Sequence, residues 1–255
     1  MPRQTGLATL WQMMRKITYV TLALVLLPVL AVTALFLMPQ PQFVIEPARP
    51  AWWGYPSVTE AHYAYRVRED GKLEIELEHP VLRGITPAMV AWWYRYLPVS
   101  STTIDDVQYP YYQLFHLSEH GRMRILEPAT DGTPGMGVGA LVYRQERFGP
   151  FYSKGQGRVL SYGDDGYVVA PVLGPLVLGR IEHRFRAVSG GTLYTVHAVL
   201  GSEAPLIGPI LNLYLRTRQF PESMLKQWMR HQVEEVGSLV HYLPQLYRGE
   251  KLEGL

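Results

Sequence analysis

The feature that most constrains the fold is the stretch from Ser153 to Gly201. Glycine punctuates it into short runs: 155–163, 166–174, 176–188 and 191–201. Tight turns at such intervals leave room only for strands that reverse direction. The reading is therefore a curved antiparallel sheet. Gly190-Gly191 turns the last pair into a hairpin, with His183 on one arm and His197 on the other. A further hairpin is predicted upstream. His62–Arg68 and Lys72–Glu78 flank Asp70-Gly71, and in the second arm Leu73, Ile75 and Leu77 alternate with charged residues. The leucines and isoleucine are expected to face inward. Lys72, Glu74, Glu76 and Glu78 are expected to form a solvated face without function.

Two helices are expected against this sheet. Thr86 caps the first and Pro87 opens it, and its Met89, Trp92, Trp93 and Tyr96 are too apolar for a surface. The second covers Pro221 to Tyr247, with proline at its first position. Trp228, His231, Glu235 and Leu239 fall at steps of three, four and four and share one side. Gln227, Arg230, Glu234, Ser238 and His241 make the polar side. Adjacent glutamates thus have different surroundings. Glu234 points to water beside Arg230, while Glu235 is carried inward, one turn from His231. A buried carboxylate without a partner is very costly. A divalent metal held by His231 and Glu235 answers that cost, and so does a buried His–Glu hydrogen bond. Pro205 to Arg218, just before, reads as a short amphipathic helix or an irregular apolar loop.

Between the hairpin and the glycine-punctuated strands, Tyr109 to His120 reads as a strand running into a turn. Even spacing gives His116 and His120 a common side if the strand continues. Residues 129–138 are a glycine-rich loop without a phosphate-binding pattern. In the strand that follows, Val142, Arg144 and Glu146 share a side, and Glu146 reads locally as a surface residue beside Arg147.

The N-terminal part is different. Ile17 to Met38 holds no charged residue and is long enough for a transmembrane helix. Arg3, Arg15 and Lys16 precede it, and no Lys or Arg follows until Arg49. That bias places the N-terminus in the cytoplasm and the remainder on the other side. A cleaved signal peptide fits less well, because the apolar run is long and no small-x-small site follows it. The expected organisation is a cytoplasmic N-terminus 1–16, an anchor 17–38, a proline-rich linker 39–58 and a domain 59–255. Trp52, Trp53 and Tyr55 lie in the linker.

Composition narrows the chemistry. The formal charge of +2 and the absence of basic runs speak against nucleic acid. There is no cysteine among the 255 residues. Disulfides, thiolate metal sites and a cysteine nucleophile are excluded, and any metal must be held by His, Asp, Glu or water. No nucleophile elbow is present. Strands, a long C-terminal helix and the short helix between them give an α+β layout in which the sheet wraps the final helix around a hollow.

Several segments together resemble the 2,4-diacetylphloroglucinol hydrolase family. They are Gly84–Trp93, Phe115-His-Leu-Ser-Glu-His120, Gly139–Glu146, Ile181-Glu-His-Arg-Phe185 with its glycine hairpin, and His231-x-x-x-Glu235 before Leu243-Pro244 and Tyr247. The resemblance runs in order from about Arg83 to Tyr247. It implies a helix-grip, START-like fold, a zinc ion (Zn2+) and hydrolysis of a carbon–carbon bond between an aromatic ring and an acyl group. The ligands it implies are His116, Glu146, His231 and Glu235. It also implies an acid near the substrate, with His183, Tyr109 and Tyr112 as candidates. The departures are Leu117 and Glu119, where the family has proline and aspartate, and a partner tyrosine for His183 that is not evident at His197-Ala198. The substrate class implied is an acylated phenol or another apolar ketone. A membrane-tethered carrier of apolar ligands is the competing expectation, and a zinc hydrolase of esters or amides a third.

Overall fold

The computed structural model of the protein describes residues 4–39, 42–45, 53–205 and 207–252. They fall into two compact units, Met1–Gln40 and Pro41–Leu255. The first holds one helix, α1 (Gln4–Leu37). Among the described residues no helix is long and apolar enough to cross a membrane. Inside the predicted anchor, side chains 21–25, 27–29, 31 and 35 lie outside the described residues, as do linker residues 40, 41 and 46–52, Trp52 among them.

In the second unit the predicted hairpin is present as β1 (His62–Val67) and β2 (Leu73–Glu78), with Gly71 at φ 77° in the turn. Glycine alone takes that backbone conformation without cost. Next come a short β3 (Leu82–Arg83) and helix α2 (Pro87–Tyr96). Thr86 caps α2 by accepting a hydrogen bond from the Met89 amide. A cap of this kind is worth about 1 kcal/mol. Trp93 is fully buried against Tyr111, Phe115 and Tyr242.

The segment before His120 departs from the predicted strand. A two-stranded hairpin, β4 (Ser101–Ile104) and β5 (Val107–Pro110), gives way to a helical turn, α3 (Tyr111–Phe115). The next strand, β6 (His120–Glu127), begins at His120. Burial explains the change. Tyr111, Tyr112, Leu114 and Phe115 are all buried, and four large neighbours can turn inward together only if the chain coils.

The remaining strands are β7 (Leu141–Phe148), β8 (Phe151–Gly163), β9 (Gly166–Leu173), the short β10 (Leu176–Val177), β11 (Gly179–Val188) and β12 (Gly191–Leu200). The main sheet runs β1-β2-β12-β11-β9-β8-β7-β6, every neighbour antiparallel, with β3 on β12 and β10 on β9. Period-two burial selects its inner face. On β12, Thr192, Tyr194, Val196, Ala198 and Leu200 are buried while His197 points outward.

The outer face is not wholly solvated. Glu74 is buried there among Arg66 at 2.7 Å, the His197 ring at 3.1 Å and Arg68 at 3.8 Å. Three cationic or hydrogen-bonding neighbours from adjacent turns and strands cover a carboxylate expected to stand in water.

The chain continues with α4 (Gly208–Tyr214), a wide turn at Leu215–Gln219 and helix α5 (Glu222–Ser238), which Pro221 precedes as its cap residue. A tight turn at Leu239–His241 separates α5 from α6 (Leu243–Tyr247), so the long helix predicted from the sequence is two. The fold is α+β, an antiparallel sheet with a helix from the C-terminal part against it. The inner face of α5 holds Trp228, His231, Glu235 and, just past its end, Leu239, all buried as expected. Ser238, expected on the polar side, is fully buried, with its hydroxyl 2.7 Å from the Glu235 carbonyl.

Candidate metal centre

His231 and Glu235 stand one turn apart on α5 and are 0% and 4% exposed. The third member is His120, the first residue of β6. A bulge fixes its direction. His120 pairs with Glu146 and Met123 with Arg144, so three steps on β6 match two on β7. An extra residue re-aims a side chain at a strand end. His120 Nε2 lies 3.0 Å from His231 Nε2 and 3.1 Å from Glu235 Oε2, and His231 Nε2 lies 3.6 Å from the same oxygen.

The ring nitrogens facing away decide what those atoms can be. His120 Nδ1 is 2.6 Å from the Tyr112 carbonyl oxygen, which only accepts, so Nδ1 carries the proton. His231 Nδ1 donates in the same way to Glu119 Oε2 at 2.8 Å. Each neutral ring then turns a bare lone pair on Nε2 toward the other, with a carboxylate oxygen beside both. Three electron-pair donors meet with no hydrogen among them. Only a cation answers that arrangement, either a proton on one ring or a metal ion. Ligands around tetrahedral zinc stand about 3.3 Å apart at ordinary bond lengths, which is the spacing found.

The electrostatics point the same way. Burial alone would raise the Glu235 carboxyl, but the His120 and His231 rings outweigh it and hold the group far below the usual range. Burial pushes His120 down to about 4, despite Glu235. Burial also lowers His231, yet Glu119 and Glu235 together raise it above its ordinary value. Of the two rings, His231 is the one on which a proton is favoured.

A second set, His116, Glu119 and His231, uses the other side of the His231 ring. It is the weaker donor set. The His116 and His231 rings stack with centroids 4.5 Å apart and planes 10° from parallel, so their in-plane lone pairs do not converge. His116 Nε2 lies instead 3.1 Å from Glu234. Glu119 is already held by Arg230 at 2.6 Å and by the Gly149 amide at 2.9 Å. Burial raises its carboxyl, but His231 and the Gly149 amide bring it down to about 2. Glu119 orients His231, as a carboxylate behind a ligating imidazole does.

The four residues that the resemblance implies as ligands fall in three different settings. His231 and Glu235 stand in the triad. His120 stands with them, while His116 belongs to the second set, because the coil at α3 sends the two histidines in different directions. Glu146 faces inward, as the resemblance implied and its local sequence did not. Its carboxylate is nonetheless bound to Arg144 and, at 2.6 Å, to the Tyr112 hydroxyl rather than joining the three donor atoms. Tyr112 in turn stacks on His120 at 4.0 Å, so Glu146 adjoins the triad through one side chain. Glu234, expected in water, is partly buried between Arg230 and His116.

The candidate acids separate. Tyr109 sits in the separate β4–β5 hairpin opposite Thr102. His183 is on the inner face of β11, stacked on Tyr167 at 4.2 Å, with Nδ1 2.7 Å from the Tyr194 hydroxyl. Tyr194 donates onward to the Tyr94 hydroxyl at 2.8 Å. The hydroxyl beside His183 thus comes from Tyr194 on the next strand, not from His197-Ala198. Period two could have found it, since His183 pairs with Val196 and Tyr194 lies two residues along the same face. Burial holds His183 down to about 3, a neutral ring. His79 was not singled out by the sequence and is also buried here, 4.8 Å from the Tyr194 ring.

No protein-family model matches the chain, and no curated protein matches it either. Among solved structures it is similar to Ara h 8.0201 (13% identity, 71% of this chain and 98% of that one, TM-score 0.40). It is also similar to a START superfamily protein from Mycobacterium smegmatis (10%, 68% and 98%, 0.42). A conserved protein of unknown function from Enterococcus faecalis gives 13%, 74% and 92%, with TM-score 0.37. The fold assignment rests on the strand order and the helix, not on these likenesses.

Proposed function

We propose that the domain is a zinc-dependent hydrolase, with His120, His231 and Glu235 as the metal ligands and Glu146 beside them. The observation that carries this reading is the meeting of the His120 and His231 Nε2 atoms with a Glu235 carboxylate oxygen, all buried and each ring fixed from behind. Three protein ligands leave one position open, the pattern of catalytic rather than structural zinc. Zinc so held supplies a Lewis acid and a water of lowered pKa.

The chain's own residues support attack on a carbonyl in an apolar ligand. Tyr112, fixed by Glu146, presents its ring to His120. His183 stays neutral at physiological pH, so it serves as a hydrogen-bond partner, held by the Tyr194 hydroxyl, rather than as a standing imidazolium. The aromatic rings around it exclude water and suit an acylated phenol or a similar ketone. Cleavage of a carbon–carbon bond, as against an ester or amide, is supported by the sequence resemblance alone.

A second reading keeps the same interior and drops the metal. His231 protonated in place would satisfy the triad, and the domain would carry apolar ligands without reaction. Elemental analysis of the purified chain after metal-supplemented refolding separates the two. One zinc per chain, lost in Glu235→Gln together with turnover of a 2-acylphenol, supports the enzyme. A metal-free chain that still binds the acylphenol supports the carrier.

The proposed location is a membrane, through the uncharged stretch Ile17–Met38, with the N-terminus cytoplasmic. The charge bias of Arg3, Arg15 and Lys16 supports it. Carbonate-resistant pelleting of the full chain, abolished by removal of residues 1–38, is the expected result.

A further inference from the structure

His79 follows β2 and is 2% exposed. Its backbone amide donates to the Tyr194 carbonyl at 3.0 Å, which places it at the end of the β2–β12 pairing. Neither of its ring nitrogens has a hydrogen-bond partner. A buried polar group in that state is destabilising. A phenylalanine at the same place would avoid the cost, so the imidazole is a liability unless something meets it. Burial also keeps it neutral, with its pKa pushed down to about 3. A neutral ring offers one N–H and one lone pair. The surroundings are those of the proposed reaction: the His79 ring tilts against Tyr194, whose hydroxyl holds His183, and the charge of Glu235 acts on His79 and His183 alike.

We infer that His79 is a specificity-determining contact that takes a hydroxyl of the ligand, so that the site prefers a hydroxylated apolar molecule over its deoxy counterpart. A hydroxyl is the small group that answers either nitrogen, because it both donates and accepts. A purely apolar ligand leaves the imidazole as it stands. A charged ligand group there would have no counter-ion, since His79 does not protonate. This inference rests on the proposed ligand-binding interior but not on catalysis, so it is tested by binding.

The experiment uses the full chain in detergent, with and without zinc, and a matched pair of probes, 4-ethylphenol and ethylbenzene. Wild type is expected to bind the phenol about tenfold more tightly, as for a buried polar group that finds or misses its partner. His79→Phe is expected to reduce that ratio to about one, to keep its zinc and to melt at a higher temperature in the absence of ligand. His79→Gln retains a donor and an acceptor and is expected to keep most of the preference, which covers the case in which the phenylalanine variant does not fold. A preference that survives His79→Phe, or a wild type that does not distinguish the probes, overturns the inference. Loss of zinc binding with the preference intact would instead overturn the enzyme reading alone.

Discussion

His120 and His231 approach through their Nε2 atoms at 3.0 Å while each ring already spends its Nδ1 proton, one on the Tyr112 carbonyl and one on Glu119. Two lone pairs so close repel unless a cation lies between them. This pairing singles out His120 and His231 more sharply than any spacing along the chain.

The first expected outcome follows directly. His120→Ala and His231→Ala each lose stoichiometric zinc, whereas His116→Ala retains it, because the His116 ring stacks on His231 and bonds Glu234 instead of facing the triad. Elemental analysis after dialysis decides the matter. If His116→Ala is the variant that comes out metal-free, the ligand assignment is wrong.

Glu119→Gln tests the support of His231 in the proposed metal site. The amide keeps the shape but removes the charge that holds the His231 proton on Nδ1. Zinc affinity is expected to fall by about 10–100-fold with stoichiometry restored at high zinc, as for other carboxylates behind metal-bound histidines. Competition with a chromogenic chelator measures it.

Acid should destabilise the metal-free protein well before its carboxylates titrate. His79 and His183 are held at about 3 by burial, against about 6.5 when unfolded. Below pH 6.5 the unfolded chain binds protons that the folded chain refuses, so stability rises with pH and is lost as pH falls from 6.5 toward 3. Each such group contributes a slope of about 1.4 kcal/mol per pH unit once fully titrated in the unfolded chain. His231, raised above its ordinary value, works in the opposite sense, stabilising at low pH and losing that effect as pH rises through its folded pKa. Urea melts at pH 7, 6 and 5 should show the net loss, and His79→Phe should flatten it by about one proton.

Gly237→Ala should release the segment that precedes β1. A methyl group there would meet Pro56 Cγ at 2.3 Å. Overpacking of this kind costs about 1–3 kcal/mol. The segment is held by Trp53, stacked on His241 at 5.7 Å, and by Tyr55, stacked on His116 at 5.0 Å. Faster proteolytic cleavage near Trp53, with a red-shifted tryptophan emission, is the expected result. An unchanged cleavage rate would mean that the proline moves aside freely.

Patterns that act over a few residues were readable without coordinates. Glycine turns marked β8 to β12, Asp70-Gly71 marked the first hairpin, Thr86-Pro87 marked the start of α2, and the three-and-four rhythm put His231 and Glu235 on the buried side of α5. Each depends on local backbone geometry or on one periodic face. Tertiary structure alone turned His120, and not His116, onto His231 Nε2 and Glu235, because that placement depends on a coil forced by four buried neighbours and a bulge against β7. It alone joined Tyr194 to His183, buried Glu74 and left His79 without a partner. Those outcomes are contacts between distant segments. A side chain's environment there is set by the strand or helix packed across from it, which its own neighbours in sequence do not encode.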